Sequence, residues 1–215
     1  MQVLIRIGFL TLLALIDATS IAQAASELKA PAEGAAKPSF DCTTARHAIE
    51  EMVCEDADLA ALDVQLAAVF ESALKKVQAM PNTAPEIRHM KAYELRWSRE
   101  RNECARSKDA RDCTVESYRN RIADLQARFF LARSKSPLVY MCQDNPKNEL
   151  IVTYVDSDPA TVRLDRAGKT VITFKDDEGD GKRFANPQGV SFDVEGDMAL
   201  VNWPTGHEFE CTQRK

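Results

Sequence analysis

The fold of the chain is decided at residues 138–154, whose sequence is LVYMCQDNPKNELIVTY. From Val139 onward apolar residues recur with a period of two, which is typical of a half-buried β-strand. The segment Asp144-Asn145-Pro146 between the two runs is typical of a turn. Upstream of this point the apolar residues recur at helical spacing. We therefore expect an α+β protein with a helical N-terminal domain (residues 41–135) and a β-rich C-terminal domain (residues 138–215).

The C-terminal half contains about eight short stretches with strand periodicity, separated by turn residues. The predicted strands are Val139–Cys142, Glu149–Tyr154, Ala160–Leu164, Val171–Lys175, Arg183–Asn186, Val190–Val194, Met198–Trp203 and His207–Thr212. Many short strands with tight turns favour an antiparallel barrel or a sandwich. A disulfide between Cys142 on the first strand and Cys211 on the last would join the two ends.

The N-terminal half contains three apolar stripes with the spacing of amphipathic helices, preceded by a short helix at about residues 44–54. The stripes are Leu59, Leu62, Leu66, Val69 and Ala73; Met90, Tyr93, Trp97 and Cys104; and Val115, Tyr118, Ile122, Leu125 and Phe129. Asp56 or Asp58 is the predicted cap of the first long helix. Thr83 and Glu86 have the spacing of a capping box for the next helix. This half is predicted to be a small antiparallel helical bundle.

Residues 1–24 have the pattern of a secretory signal peptide. Arg6 precedes a short apolar run at residues 7–16, and Ala22-Gln23-Ala24 predicts cleavage before Ala25. We therefore expect a periplasmic protein without a stable membrane anchor. Because no cysteine lies at the predicted cleavage point, we do not expect a lipoprotein. Residues 25–40 read as a flexible lead-in.

Six cysteines in an exported chain favour disulfides over metal ligation. In the helical half the local pairs Cys42–Cys54 and Cys104–Cys113 are favoured, because each pair flanks a short helix or a turn. The sequence alone leaves three connectivities open for these four cysteines.

Charge is distributed unevenly along the chain. Residues 136–215 hold 9 basic and 14 acidic residues, so the formal net charge of −5 belongs to the β half. An acidic surface disfavours nucleic acid and anionic lipid and favours a basic protein partner. No cofactor motif or catalytic histidine arrangement is present, so we expect a protein that is not an enzyme and that binds no cofactor. Its oligomeric state is not predicted.

A loop at Asp176, Glu178 and Asp180, followed by Gly181, has the alternation of a calcium loop. The twelfth position of such a loop is a bidentate glutamate, and here it is Pro187. We therefore expect no metal site.

Residues Cys54 to Asp63 and Leu66, followed by Trp97, Arg101 and Cys104, resemble the LprI-type lysozyme inhibitor N-terminal domain. The chain resembles the second half of that domain at Cys113, Tyr118, Arg121 and Leu125. The resemblance spans residues 41–133. This module occurs in many exported proteins, so it implies export more firmly than a function.

The β half resembles the MliC/PliC family of c-type lysozyme inhibitors. The resemblance rests on Tyr140 and Cys142, residues 150–154, the glycine loop at residues 180–184, the Glu195-Gly196-Asp197 turn and Cys211. The family implies an eight-stranded antiparallel barrel whose loops enter the lysozyme cleft, where a serine and a lysine meet the catalytic carboxylates. The implied contact residues are Asp180, Gly181, Lys182, Arg183, Phe184, Glu195, Gly196 and Asp197.

Three of these positions depart from the family pattern, and Phe184, which replaces a tyrosine, is one of them. Asp180 stands in place of the serine and Glu195 in place of the lysine. Two like charges at about 4 Å repel by about 4 kcal/mol in an effective dielectric near 20. Our hypothesis is that Lys182 or Arg183 contacts the target carboxylates while the acidic rim attracts a basic lysozyme. The alternative is a non-inhibitory envelope module that binds another protein or a cell-wall component.

Overall fold

The computed structural model describes residues 37–81, 83–143, 148–176, 181–203 and 206–215. The predicted signal peptide and most of the predicted lead-in lie outside these ranges. The helices in the described part are α1 (Ala48–Glu55), α2 (Ala57–Gln78), α3 (Ala84–Asn102) and α4 (Ala110–Arg128), with 3₁₀ turns at Cys42–Thr44 and Glu103–Arg106. None of these helices combines the length and apolarity needed to cross a bilayer.

The helix starts confirm one predicted cap and correct another. The Asp56 carboxylate accepts hydrogen bonds from the backbone N–H groups of Asp58 and Leu59 at 2.9 and 3.1 Å, so Asp56 caps α2. Thr83 precedes α3, but its side chain makes no capping hydrogen bond. The predicted capping box is wrong because Thr83 adopts helical backbone angles (φ −84°, ψ −12°), whereas a capping side chain requires an extended residue.

The helical bundle is built on the predicted stripes, with one exception. Leu59, Leu66, Tyr118 and Leu125 are buried together in its core. Tyr93, which was placed on the stripe of α3, is 39 % exposed. The Tyr93 ring instead lies beneath the guanidinium groups of Arg96 and Arg121 at 4.5 and 4.6 Å.

The β half is a closed antiparallel barrel of eight strands in chain order, which decides between the predicted barrel and sandwich. The strands are β1 (Leu138–Cys142), β2 (Glu149–Val155), β3 (Thr161–Arg166), β4 (Lys169–Lys175), β5 (Arg183–Ala185), β6 (Ser191–Glu195), β7 (Met198–Asn202) and β8 (Glu208–Gln213). Strand alternation sends every second side chain inward, where Tyr140, Leu150, Val152 and Phe192 fill the interior.

All six cysteines form disulfides, with the pairs Cys42–Cys54, Cys104–Cys113 and Cys142–Cys211. Cys142 and Cys211 lie directly opposite each other where β1 pairs with β8. This is the strand pair that closes the barrel, so the disulfide fastens the first strand to the last.

Helix α4 packs against the β3–β4 side of the barrel. Ala127 of α4 shares a small apolar cluster with Val155 and Ile172. The connection itself is tied down by backbone hydrogen bonds from Lys135 N–H to the Tyr154 carbonyl (2.9 Å) and from Asp156 N–H to the Arg133 carbonyl (2.8 Å). The helical and barrel parts belong to one compact unit, and their division into two domains stays a prediction.

Candidate functional site

The first predicted contact loop leads into strand β5. Gly181 has a positive φ of 74°, a conformation that favours glycine. Lys182 is held close to β6 because its carbonyl accepts a hydrogen bond from the Val194 N–H at 3.3 Å. Asp180 lies outside the described residues. The loop therefore delivers Lys182 and Arg183 to the edge shared by β5 and β6.

Phe184 and Arg183 point to opposite sides of β5, as successive strand residues do. Phe184 is 7 % exposed and packs edge-on against the Tyr154 ring in the barrel interior, with 5.7 Å between the ring centroids. Its role in the structure is to fill the core beneath the loop. Arg183 faces outward, with half of its side chain exposed.

The Arg183 guanidinium is held by two carboxylates. Its Nη1 atom lies 3.0 and 3.1 Å from the two oxygens of Asp193, which is directly opposite on β6. Its Nε atom lies 3.5 Å from Asp176 Oδ2, at the end of β4. Arg183 is therefore positioned by the barrel, and its charge is already offset by neighbouring groups.

The second predicted contact loop is the turn between β6 and β7. Gly196 occupies it with a φ of 61°. Asp197 is engaged with the C-terminal segment, because its carbonyl accepts from Gln213 N–H at 2.7 Å and its carboxylate pairs with Lys215 at 2.7 Å. The hydrogen bond and charge of Asp197 raise the pKa of the Lys215 ammonium. Glu195 is exposed at the end of β6, opposite Met198.

A shallow groove of about 530 Å³ brings residues of both loops together on the outer face of the barrel. It is lined by Lys182, Arg183, Asp193, Val194, Glu195, Met198, Ala199, Leu200 and Glu210. Of the eight predicted contact residues, the groove contains Lys182, Arg183 and Glu195. Gly181, Phe184, Gly196 and Asp197 do not line it.

The sequence interpretation did not identify Asp193, Met198, Leu200 and Glu210 as groove residues. The signal was available in the turn at Gly196-Asp197, because a two-residue hairpin turn sets the register of its strands. In that register Asp193 faces Leu200, and Leu200 faces Glu210. Reading the outward positions across the predicted hairpins would have found all four residues.

The residues that resemble the LprI-type domain form a buried polar network in the helical bundle. Arg101 donates from Nη1 to the Tyr118 hydroxyl at 2.6 Å, and that hydroxyl donates to Asp63 Oδ1 at 2.9 Å. The Trp97 ring stacks edge-on against Tyr118 at 5.3 Å. Burial, opposed in part by the Arg101 charge, raises the pKa of the Tyr118 hydroxyl, which keeps it a donor. This network explains the motif as a stabilising element of the bundle.

A second polar network joins α3 and α4 to the barrel. Arg121 is nearly buried and pairs with Glu94 at 2.7 Å and with Asp124 at 2.9 Å. Asp124 also pairs with Arg128 at 2.8 Å, and Arg128 reaches the Thr170 carbonyl on β4 at 3.4 Å. These charges serve packing within the unit, because each carboxylate is matched by a guanidinium.

Within the described ranges, no three His, Cys, Asp or Glu side chains are grouped so as to hold a metal ion. Residues Asp177 to Asp180 of the calcium-like loop lie outside the described residues. His47, His89 and His207 belong to different parts of the chain, preceding α1, within α3 and before β8.

Most of the barrel matches a known protein family. Residues 140–209 match the family described as Membrane-bound lysozyme-inhibitor of c-type lysozyme. The match spans both predicted contact loops and all but the ends of the barrel, including Phe184 in its core and Glu195 at the groove. This agrees with the resemblance drawn from the sequence.

A second comparison extends to the helical half. The chain is 28 % identical over 165 residues to proteins named Lipoprotein LprI from Mycobacterium bovis (strain ATCC BAA-935 / AF2122/97) and Mycobacterium tuberculosis (strain ATCC 25618 / H37Rv). The alignment covers 75 % of this chain and 78 % of each relative. Because it is longer than either half of this chain, it includes parts of both the helices and the barrel. No solved structure matches the chain.

Proposed function

We propose that the protein is an exported periplasmic lysozyme inhibitor whose target is a c-type lysozyme. The observation that carries the proposal is the match of residues 140–209 to the inhibitor family, together with the groove that unites its two loop regions. The similarity to the LprI proteins across helices and barrel supports the same class of function. An inhibitor of this class acts by binding and needs no catalytic residue of its own.

The proposed contact places the β4–β5 and β6–β7 loops in the lysozyme cleft. Lys182 and Arg183 would meet the two carboxylates of the enzyme, in place of the loop groups that this chain lacks. Arg183 is suited to this because its pair with Asp193 is half-exposed, and an exposed pair contributes only about 1 kcal/mol or less. An incoming carboxylate could therefore replace Asp193 or share the guanidinium with it.

The charge of the barrel supports a basic partner. Glu195 and Glu210 are exposed at the groove, and the β half carries the whole formal excess of negative charge. Long-range attraction between opposite charges raises the association rate and decreases as salt is added. A basic lysozyme fits this surface, whereas nucleic acid does not.

A non-inhibitory envelope module is the second candidate, and two observations favour it. Glu195 stands where the family has a lysine, and Arg183 is already engaged by Asp193 and Asp176. Such a module would use the same groove for a different protein or a cell-wall component.

A cell-lysis assay separates the two candidates. The mature protein starting at Ala25 is titrated against c-type, g-type and i-type lysozymes acting on whole bacterial cells. Dose-dependent protection from the c-type enzyme is the expected result. Inhibition of none of the three enzymes would contradict the proposal and favour the second candidate.

A further inference from the structure

The outer face of strands β5 to β8 carries a continuous row of side chains that forms one wall of the groove. Arg183, Asp193, Leu200 and Glu210 are direct neighbours across the four strands. Met198 lies two positions before Leu200 on β7, and residues two apart on a strand share a face. These side chains therefore form one outward surface that extends from the β6–β7 turn to the middle of β8.

The centre of this surface is apolar and exposed. Met198 is 49 % exposed and Leu200 is 39 % exposed. The two side chains are about 7 Å apart along β7, so they form a short strip rather than isolated contacts. Exposed aliphatic groups bordered by charge are typical of protein interaction sites.

The border of the strip is acidic. Asp193 is offset by Arg183, whereas the Glu195 and Glu210 side chains form no ion pair with any residue that the structure describes. Two exposed carboxylates thus flank Met198 and Leu200. A partner that covers the strip must present cationic groups to them, because a like charge or an apolar group there would be unfavourable.

The strip lies on the side of the barrel away from the helices. Helix α4 contacts β3 and β4. In a closed barrel of eight strands in chain order, β7 and β8 are the strands opposite β3 and β4. The helical half therefore leaves this face open, while it occupies the opposite one.

We propose that this wall of the groove is itself a docking surface, on which Met198 and Leu200 pack against an apolar patch of a basic protein while Glu195 and Glu210 bind flanking Arg or Lys side chains. The proposal rests on the proposed function, and the partner is a basic lysozyme whose cleft receives the neighbouring loops. A second copy of this chain is disfavoured as the occupant, because both copies would bring the net negative charge of the β half to the interface.

The test uses substitutions outside the predicted contact loops. Met198→Ser with Leu200→Ser removes the strip, and Glu210→Lys reverses one border charge. Ile151→Ser on β2 is the matched apolar control, because Ile151 is also 39 % exposed on the barrel surface. Glu55→Lys at the end of α1 is the matched charge control on an exposed helical position. Circular dichroism melting verifies that each variant is folded.

Affinity for a basic c-type lysozyme is measured by titration calorimetry for the wild-type mature protein and each variant. We expect the Met198→Ser/Leu200→Ser variant to bind about tenfold more weakly, a change of about 1.4 kcal/mol. Glu210→Lys should also weaken binding, with an effect that shrinks between about 0.05 M and about 0.5 M salt. Neither control should change the affinity.

The outcomes separate the two proposals. Wild-type affinity in both surface variants overturns the docking surface and leaves the inhibitor function standing. Absence of binding by the wild-type protein overturns both. A wild-type dimer in sedimentation that dissociates in the Met198→Ser/Leu200→Ser variant would assign the face to a second copy and overturn the basic-partner assignment.

Discussion

Arg183 on β5 and Asp193 on β6 form a two-point ion pair across adjacent strands, with Nη1 at 3.0 and 3.1 Å from the two carboxylate oxygens. The pair holds the proposed contact cation at the edge of the groove and lies on the exposed surface of the barrel. This arrangement positions Arg183 for a contact without making the fold depend on it.

Arg183→Ala should therefore have little effect on stability. Exposed ion pairs contribute about 1 kcal/mol or less, so we expect a loss within that range in urea unfolding. Arg214→Ala, which removes the exposed Arg214–Glu149 pair at 2.7 Å, is the matched control. A loss above about 2 kcal/mol for Arg183→Ala alone would show that this arginine is needed for folding rather than for contact.

Tyr118→Phe tests the buried network of the helical bundle. The substitution removes the hydroxyl that accepts from Arg101 and donates to Asp63, and it leaves both charged groups without that partner. Hydrogen bonds to buried charged groups are worth about 1.5–3 kcal/mol, so the free energy of unfolding should fall by about that amount. Tyr93→Phe is the control, because Tyr93 is exposed. Equal stability of both variants would contradict the structural role of the network.

The barrel disulfide should stabilise the folded protein more than the short-range disulfides of the helical half. Cys142 and Cys211 are 69 residues apart, whereas Cys104 and Cys113 are 9 apart. The chain-entropy model gives about 4 kcal/mol for the long loop and about 3 kcal/mol for the short one. We expect Cys142→Ser/Cys211→Ser to lower the midpoint of urea unfolding more than Cys104→Ser/Cys113→Ser. The reverse order would mean that closing the barrel depends little on this link.

The Asp56 carboxyl should make the stability of the folded protein depend on pH. A hydrogen bond from Arg111 holds the pKa of the Asp56 carboxyl below its ordinary value of 3.8. A group with a lowered folded pKa stabilises above its unfolded pKa, and that stabilisation is lost as the pH falls through the folded pKa. The wild-type protein should therefore be more stable than Asp56→Asn at neutral pH, and the difference should shrink as the pH falls below the ordinary value of 3.8 and through the lower pKa of the folded protein.

The Asp56→Asn substitution keeps a side chain that can cap α2, so it removes the charge and spares the cap. Glu55→Gln is the control, because the exposed Glu55 carboxylate forms no ion pair within the described part of the chain. Parallel stability curves for wild type and Asp56→Asn from neutral to acidic pH would contradict the assignment.

The sequence predicted the strands of the barrel nearly to the residue, because strand period and turn residues change together in this half. It did not separate a barrel from a sandwich without the family resemblance, since both architectures give the same alternation. The Thr83 cap failed for a local reason, because the backbone at Thr83 is already helical. Tyr93 has helical spacing but lies outside the core, because α3 leaves that position open to solvent beside Arg96.

The candidate site was predicted less completely than the fold. The loops carrying Lys182, Arg183 and Glu195 were found from the family pattern, and the structure brings these three residues to one groove. Phe184 follows Arg183 directly but faces the interior, as strand alternation requires. Asp193 and Glu210 belong to no motif. Their place in the groove follows from the strand register, which the hairpin turns set and which no motif marks.

The proposed inhibition depends on contact between a lysozyme and the side chains of Lys182 and Arg183. Titration calorimetry of a c-type lysozyme with the mature wild-type protein and with the Lys182→Ala/Arg183→Ala variant tests this directly. Arg88→Ala/Lys91→Ala on the exposed surface of α3 removes the same charge and serves as the control. We expect wild type and control to bind and the Lys182→Ala/Arg183→Ala variant not to bind. Unchanged affinity of that variant would contradict the proposed contact.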